Sequence, residues 1–138
     1  SNLERQDIIT TKEPDNPNVY VVKRIIGLPG DKIEMKDDIL TINGKESAEP
    51  YLTDYKKQFA EDQLSEEYSY NAAFQEQAAS ATTFTDDFNV TVPEDQYFVL
   101  GDNRLISKDS RIFGFVDQSL IQGKVVLRFW PLSEMKLF

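Results

Sequence analysis

The six glycines of this 138-residue chain fall at positions 27, 30, 44, 101, 114 and 123, and none lies between 45 and 100. That spacing divides the chain into turn-marked flanks and a glycine-free middle. In the first flank, Asp7 to Thr11 is a short β-prone run, and Val19 to Ile26, rich in β-branched residues, reads as a strand. Lys32 to Met35 and Ile39 to Ile42 alternate apolar and polar residues as the arms of a hairpin do. Lys12 to Asn18 contains Pro14 and Pro17 and is expected to be a loop, because proline cannot serve a central strand. Asn43-Gly44 is a tight-turn dipeptide that opens a further short strand before Pro50. In the middle, Leu52, Tyr55 and Phe59, then Leu64 and Tyr68, recur at helical spacing, and Ala72 to Ala81 is built from good helix formers. One or two amphipathic helices are expected there, with their aromatic stripe packed on the β-core. Thr82 to Val92 returns to a β-rich pattern, Pro93-Glu94-Asp95 makes a turn before Tyr97 to Leu100, and Ile112 to Val116 and Gly123 to Trp130 are the expected last strands. The fold class is thus mainly β and antiparallel with a helical insertion: one domain, organised as a β-core over 1–50, an acidic and partly helical insertion over 51–95, and a β-core over 96–138.

Composition removes several chemistries. The chain has no His and no Cys, which excludes Ser-His-Asp and Cys-His catalysis, disulfides and zinc sites of the usual kind. A carboxylate-bound Ca²⁺ or Mg²⁺ stays open, although no loop has the spacing of a calcium-binding EF-hand, and no metal or organic cofactor is implied. A net charge of −9 argues against nucleic acid, whose phosphates need clustered Lys and Arg. The charge is local: residues 51–96 hold ten acidic and two basic residues, whereas the rest hold fourteen and thirteen. No apolar run approaches the ~20 residues that cross a bilayer. Ser1-Asn2 reads equally as native sequence or as a cloning remnant.

Two segments carry the chemistry. In Val21 to Asp31, side chains alternate across the strand, so Val21, Lys23 and Ile25 share one face and Val22, Arg24 and Ile26 the other. A lysine among apolar neighbours is desolvated, which disfavours its ammonium form. Lowering its pKa by two units from ~10.4 takes about 2.7 kcal/mol of differential solvation. A neutral lysine can act as a general base, as in Ser-Lys hydrolases; the competing reading is a lysine that snorkels to water. In Gly27-Leu28-Pro29-Gly30-Asp31, Pro29 pre-sets φ at the second turn position, Gly30 supplies positive φ at the third, and Asp31 can accept from backbone amides. The second segment, Gly101 to Val116, is dense in hydrogen-bonding groups: Asp102, Asn103, Ser107, Asp109, Ser110 and Arg111. There Asp109 can form a bidentate pair with Arg111 or Arg104, and a hydroxyl can orient a lysine amine.

Taken together, V-V-K-R-I-I-G-L-P-G-D and G-D-N-R-x-x-S-x-D-S-R-x-F-G-x-V, in that order, resemble the lysine box and the last signature box of bacterial type I signal peptidases. The resemblance covers most of the chain outside 45–95, and Arg5 to Thr11 loosely resembles the strand that precedes the lysine box. It implies a signal-peptidase-like antiparallel β fold, related to the C-terminal domain of repressor autoproteases, in a serine endopeptidase with a Ser/Lys dyad. Carried over residue by residue, Lys23 matches the general base, Ser107 the serine that orients it, and Arg24 the adjacent basic residue. Asp102, Asp109 and Arg111 match residues that brace the loop by salt bridging. Tyr20, Val21 and Val22 match the strand that pairs with an extended substrate, with small pockets nearby for alanine-sized residues at −1 and −3. Leu105-Ile106 departs from the pattern, since polar residues are frequent there.

The implied partners are exported preproteins with signal peptides, and the implied place is the extracytoplasmic side of a membrane, reached through an N-terminal anchor absent from these residues. The family's nucleophile sits in a Ser-Met-x-Pro box upstream of the lysine. This chain has no Ser-Met dipeptide, both Met35 and Met135 following Glu, and it has 22 residues before Lys23. It is therefore expected to be an N-terminally truncated form, inactive by itself. Two other readings stand beside this: a non-catalytic relative serving surface or pilus assembly, and a Ser-Lys autoprotease of the repressor type, which the Gly-Leu-Pro-Gly-Asp turn fits poorly. Trp130-Pro131 suggests contact with the bilayer surface or plain core packing, and the acidic insertion is expected to face away from anionic lipid.

Overall fold

Residues 2–126 are described by a computed structural model in which strands dominate both ends of the chain and helices its middle. The strands are β1 (Ile8–Glu13), β2 (Asn16–Gly27), β3 (Lys32–Lys36), β4 (Ile39–Ile42), β5 (Lys45–Glu46), β6 (Phe88–Thr91), β7 (Gln96–Leu100), β8 (Val116–Asp117) and β9 (Ile121–Lys124). The helices are α1 (Thr53–Asp62), α2 (Ala72–Ser80) and the single turn α3 (Ser110–Phe113). One antiparallel sheet has the order β8-β7-β2-β1-β9 and a second β5-β4-β3-β6.

The long β2 organises both. Its C-terminal half lies between β1 and β7, with Arg24 opposite Ile8 on one side and Leu100 on the other. That half is buried on both faces, including Lys23 and Arg24. Ile26 packs with Phe98 and Leu100 against Ile33, Met35, Leu40, Ile42 and Val92 of the second sheet. Ile25 packs on the opposite face with Ile9, Tyr97, Val99, Phe113 and Val116. Each such side chain contributes about 1.5–3 kcal/mol by leaving water. The N-terminal half, by contrast, pairs with β1 alone among the described residues.

The turn after β2 takes the expected form. Asp31 N–H donates to the Leu28 carbonyl at 3.0 Å, and Gly30 has φ +86°. The Asp31 carboxylate accepts from the Leu28 amide at 2.9 Å and from Arg5 through two bonds of 2.8 Å. Burial alone would raise the Asp31 carboxyl, but Arg5, the Leu28 amide and Asn43 together hold it below the usual carboxylate range.

Four expectations need correction. The segment expected as a loop over Lys12 to Asn18 is mostly strand: β1 runs to Glu13 and β2 starts at Asn16, leaving only Pro14-Asp15 as the turn. Pro17 is tolerated because, among the described residues, this half of β2 has one edge without a partner strand, where a missing N–H costs nothing. Ile112 to Val116 is not a strand. The Asp109 side chain accepts from the Arg111 amide and starts α3, which ends where Gly114 adopts φ 87°. Strand structure between Thr82 and Val92 is confined to β6, because the Asp38 carboxylate holds the amides of Phe84 and Thr85 at 2.9 and 2.7 Å. Finally, the aromatic stripe of the insertion does not pack chiefly on the β-core. Leu52, Leu64, Tyr68, Ala78 and Phe84 form a small core of their own with Leu105, flanked by Tyr55, Phe59 and Phe74. Of the strand expected over Gly123 to Trp130, only Gly123 and Lys124 lie in β9, Val125 and Val126 lie in no strand, and the remainder, with Trp130-Pro131, lies outside the described residues.

Gly27 sits where β2 meets the second sheet. A Cβ there would lie 2.2 Å from Ile33 Cδ1 and 3.0 Å from Val92 Cγ2. Gly27→Ala is therefore expected to destabilise the chain by about 1–3 kcal/mol, the usual cost of overpacking, as read by urea denaturation. An unchanged midpoint would show that Ile33 gives way freely.

Candidate active site

Lys23 and Arg24 are consecutive cations on a strand that is buried at this point, with 3% and 4% exposure. Alternation sends them to opposite faces, and the protein treats them differently. Arg24 is neutralised by a fork to Asp102, with Nε–Oδ1 3.0 Å and Nη2–Oδ2 2.8 Å, while Nη1 donates to the Gln6 carbonyl at 2.9 Å. Its guanidinium also stacks 4.0 Å from the centroid of the Tyr51 ring. Such a planar, fully hydrogen-bonded cation is stable in a dry setting.

Lys23 instead meets a hydroxyl: Nζ donates to Ser107 Oγ at 3.0 Å in a buried contact between residues 84 apart in sequence. Burial depresses the Lys23 ammonium below the usual lysine range. The carboxylates of Asp109, Glu13 and Asp102 act against that shift, and the Arg111 guanidinium acts with it. The site therefore favours the neutral amine more than water does.

The loop between β7 and β8 is held by its own charges. Of the two candidate partners for Asp109, the structure selects Arg111, with Nε–Oδ1 2.9 Å and Nη2–Oδ2 2.8 Å. Asp109 also accepts from the Gly101 amide at 3.0 Å and from the Ser107 hydroxyl. Burial would raise its carboxyl, yet these donors hold it below the usual range. Ser107 is thus fixed between an acceptor it serves and an amine it receives. Ser110 Oγ is engaged elsewhere, accepting from the Val99 amide at 2.8 Å.

Arg104 has a different role from the one its spacing suggested. It is fully buried and pairs with Glu49 at 2.5 Å, with further bonds to the Gly101 carbonyl and Thr85 Oγ1. Tyr68 donates its hydroxyl to Asn103 Oδ1, and Gln77 Nε2 to the Leu105 carbonyl. The insertion therefore grips the loop that carries Ser107, and Leu105 is apolar because it completes the insertion's core. Glu49, Tyr68 and Gln77 were not singled out from the sequence. Nothing in the local pattern at those positions marks a partner fifty-five, thirty-five or twenty-eight residues away.

Lys23, Ser107, Asp109 and Arg111 come together on one side of β2, and Arg24 and Asp102 form a separate pair. Tyr20, at 60% exposure, and the half-buried Val21 and Val22 lie on the half of β2 with the unpaired edge. A cleft of about 460 Å³ includes Ser107 in its wall, but its apolar lining comes from Phe88, Val90, Phe98, Ile112 and Phe115, not from Tyr20 to Val22. Among the described residues no group of His, Cys, Asp or Glu could hold a metal ion.

Comparison with known proteins bears on the family of the chain. Residues 1–130 match the family described as signal peptidase, peptidase S26. Signal peptidase I of Streptococcus pneumoniae strain R6 is 42% identical over 149 residues, covering 99% of this chain and 72% of that protein. Signal peptidase IB of Staphylococcus aureus strain Mu50 is 45% identical over 121 residues, covering 88% of this chain and 59% of that protein. The crystal structure of a signal peptidase I from Enterococcus faecalis V583 superposes with a TM-score of 0.71 at 38% identity, over 91% of this chain and 98% of that one. The chain belongs to the type I signal peptidases, the serine peptidase family S26.

Asp109 gives a clear stability test. Its folded pKa is below its unfolded one, so its contribution is present above the unfolded value of ~3.9 and is lost as pH falls through the lower folded value. Asp109→Asn leaves Arg111 without its anion in a largely dry site. It is expected to cost about 3–5 kcal/mol at pH 7, with the gap to wild type narrowing below about pH 4, by chemical denaturation at both pH values. A gap that stays constant with pH would contradict the assigned charge.

Proposed function

We propose that these residues form the extracytoplasmic catalytic part of a signal peptidase that removes signal peptides from exported preproteins, with Lys23 as its general base. The observation that carries this reading is the buried Lys23 Nζ–Ser107 Oγ bond of 3.0 Å. A depressed ammonium pKa supports it, because a base must be neutral at working pH. In this mechanism the amine takes the proton of a serine hydroxyl as its oxygen attacks the scissile carbonyl. The resulting ammonium returns that proton to the departing amine, leaving an acyl-enzyme. Water, deprotonated by the same amine, then cleaves the ester. Ser107 orients the amine, and Asp109 with Arg111 fixes Ser107.

Among the described residues no strand pairs with the second edge of β2 at Tyr20, Val21 and Val22, and an extended peptide would join there as a further strand leading to Lys23. Substrates with small residues at −1 and −3 are the expected class. Family membership supports a location at the outer face of the membrane. Among the described residues no helix is long and apolar enough to cross a bilayer.

The reaction needs a nucleophilic serine, and the 138 residues contain no Ser-Met dipeptide. The chain alone is expected to leave a signal-peptide substrate uncut. A form extended upstream to include a Ser-Met box is expected to cut it. Its rate should rise with pH through a midpoint below the usual lysine value and fall by on the order of 10⁴ on Lys23→Ala. Equal cleavage by the Lys23→Ala protein would end the general-base reading. An upstream sequence without a serine at that place would point instead to an accessory role.

A further inference from the structure

Three carboxylates act on the Lys23 amine: Asp109 at the start of α3, Glu13 at the end of β1 and Asp102 in the loop after β7. Each has a cation of its own. Asp102 is paired with Arg24, Asp109 with Arg111, and Glu13 with Lys108. The Asp102–Arg24 pair is buried and the Asp109–Arg111 pair lies within one loop, whereas the third ties that loop to the β1–β2 hairpin at the surface. Lys108 directly follows Ser107, and its Nζ lies 3.1 Å from Glu13 Oε2 and 3.1 Å from Asp15 Oδ2, both at the tip of the β1–β2 hairpin. Register slips between Lys12 and Glu13, so the hairpin closes with an irregularity at this point. Glu13 is nonetheless 7% exposed, whereas the Lys108 side chain is 49% exposed.

We propose that Lys108 is a positioning residue for the Lys23–Ser107 pair, bridging the hairpin tip to the loop that carries Ser107 and cancelling the Glu13 charge beside the lysine amine. The inference rests on the reading of Lys23 as general base. Asp102 and Asp109 are balanced by guanidiniums, which keep their charge at any working pH. The Glu13 charge is balanced by a half-exposed ammonium, so it is the balance that a surface substitution can remove without opening the core. Loss of Lys108 has two consequences of the same sign. A positive charge disappears from the neighbourhood, and the Glu13 carboxylate is left to favour the ammonium form of Lys23. Less of the amine is then neutral at a given pH, and Ser107 loses one of the ties that hold its loop.

The test uses the 138-residue chain with ¹⁵N-labelled lysine and follows the Lys23 amine by NMR titration. Lys108→Met should move the Lys23 midpoint up by about half a pH unit, the size expected of a partly exposed charge pair. Lys108→Arg should hold it near wild type, Glu13→Gln should move it down, and Glu13→Gln with Lys108→Met should bring it back towards wild type. A Lys23 midpoint unmoved by Lys108→Met in a chain of unchanged amide spectrum and Tm would overturn the proposal, as would a double variant that keeps the full rise. Should Lys108→Met loosen the hairpin, Glu13→Gln alone decides, since an unmoved midpoint there removes the charge being cancelled. A wild-type midpoint at the ordinary lysine value would instead refute the general-base reading itself. A depressed midpoint that ignores both single variants refutes only the role of Lys108.

Discussion

Two adjacent cations on one buried strand are the constraint around which this protein is arranged. An arginine cannot lose its proton, so Arg24 has to be given an anion, and the Asp102 fork with the Tyr51 ring meets that need. A lysine can lose its proton, so Lys23 can be given a hydroxyl and left in an environment where the neutral amine is favoured. Exchanging the two residues would reverse the chemistry: a guanidinium on Ser107 could not act as a base, and an ammonium would not reproduce the fork on Asp102. The two cations differ by one step in sequence and by one face of a strand.

That arrangement requires the loop after β7 to be rigid, because a serine on a mobile loop would not hold an amine. Rigidity comes from two directions. Asp109 gathers Arg111, the Gly101 amide and the Ser107 hydroxyl from within the loop. From outside, the insertion contributes Tyr68 to Asn103 and Gln77 to the Leu105 carbonyl, and Glu49, just before it, pairs with Arg104. A buried ion pair such as Glu49–Arg104 gains little net stability over a well-packed apolar pair, but removing one partner is costly, so it fixes which surfaces meet. The acidic, aromatic middle of the chain is in this sense a brace for the site, and its core merges with the loop at Leu105.

The strands β3, β4 and β7 and the buried half of β2, the turn at Gly27 to Asp31 and the Lys23–Ser107 contact were legible in the sequence, the first two from periodicity and turn chemistry and the third from the resemblance of two motifs. What was not legible had a common physical origin. The helical turn at Ser110–Phe113 exists because the Asp109 side chain caps it, and the apolar run Ile112 to Val116 hides that under a strand-like pattern. Pro17 suggested a loop because sequence does not say which edge of a strand goes unpaired. The choice of Arg111 over Arg104 as the partner of Asp109 depended on Glu49, which competes for Arg104 from the far side of the insertion. In each case a side chain distant in sequence, or the absence of a neighbouring strand, decided a local outcome.

The two halves of β2 explain why a base and a substrate surface can share one strand. From Arg24 onward β7 covers the second edge, and the strand is dry, rigid and buried on both faces. Before Lys23 that edge is open, and Val19 and Tyr20 are exposed. Lys23 stands at the junction, the first buried residue after the open edge. A peptide added along the open half would have to leave the sheet where β7 begins, which is where the lysine amine sits. On the proposed reading, burial favours the neutral amine and the edge would take the peptide, so the position of the base would follow from where the sheet changes from edge to interior. Moving the lysine two residues back on the same face would keep its direction but place it at Val21, where the strand is only half-buried and the ammonium would remain solvated. Moving it two residues forward, to Ile25, would bury it among Ile9, Val99 and Phe113, beyond reach of the open edge. On this face of β2, position 23 is the one that meets both requirements.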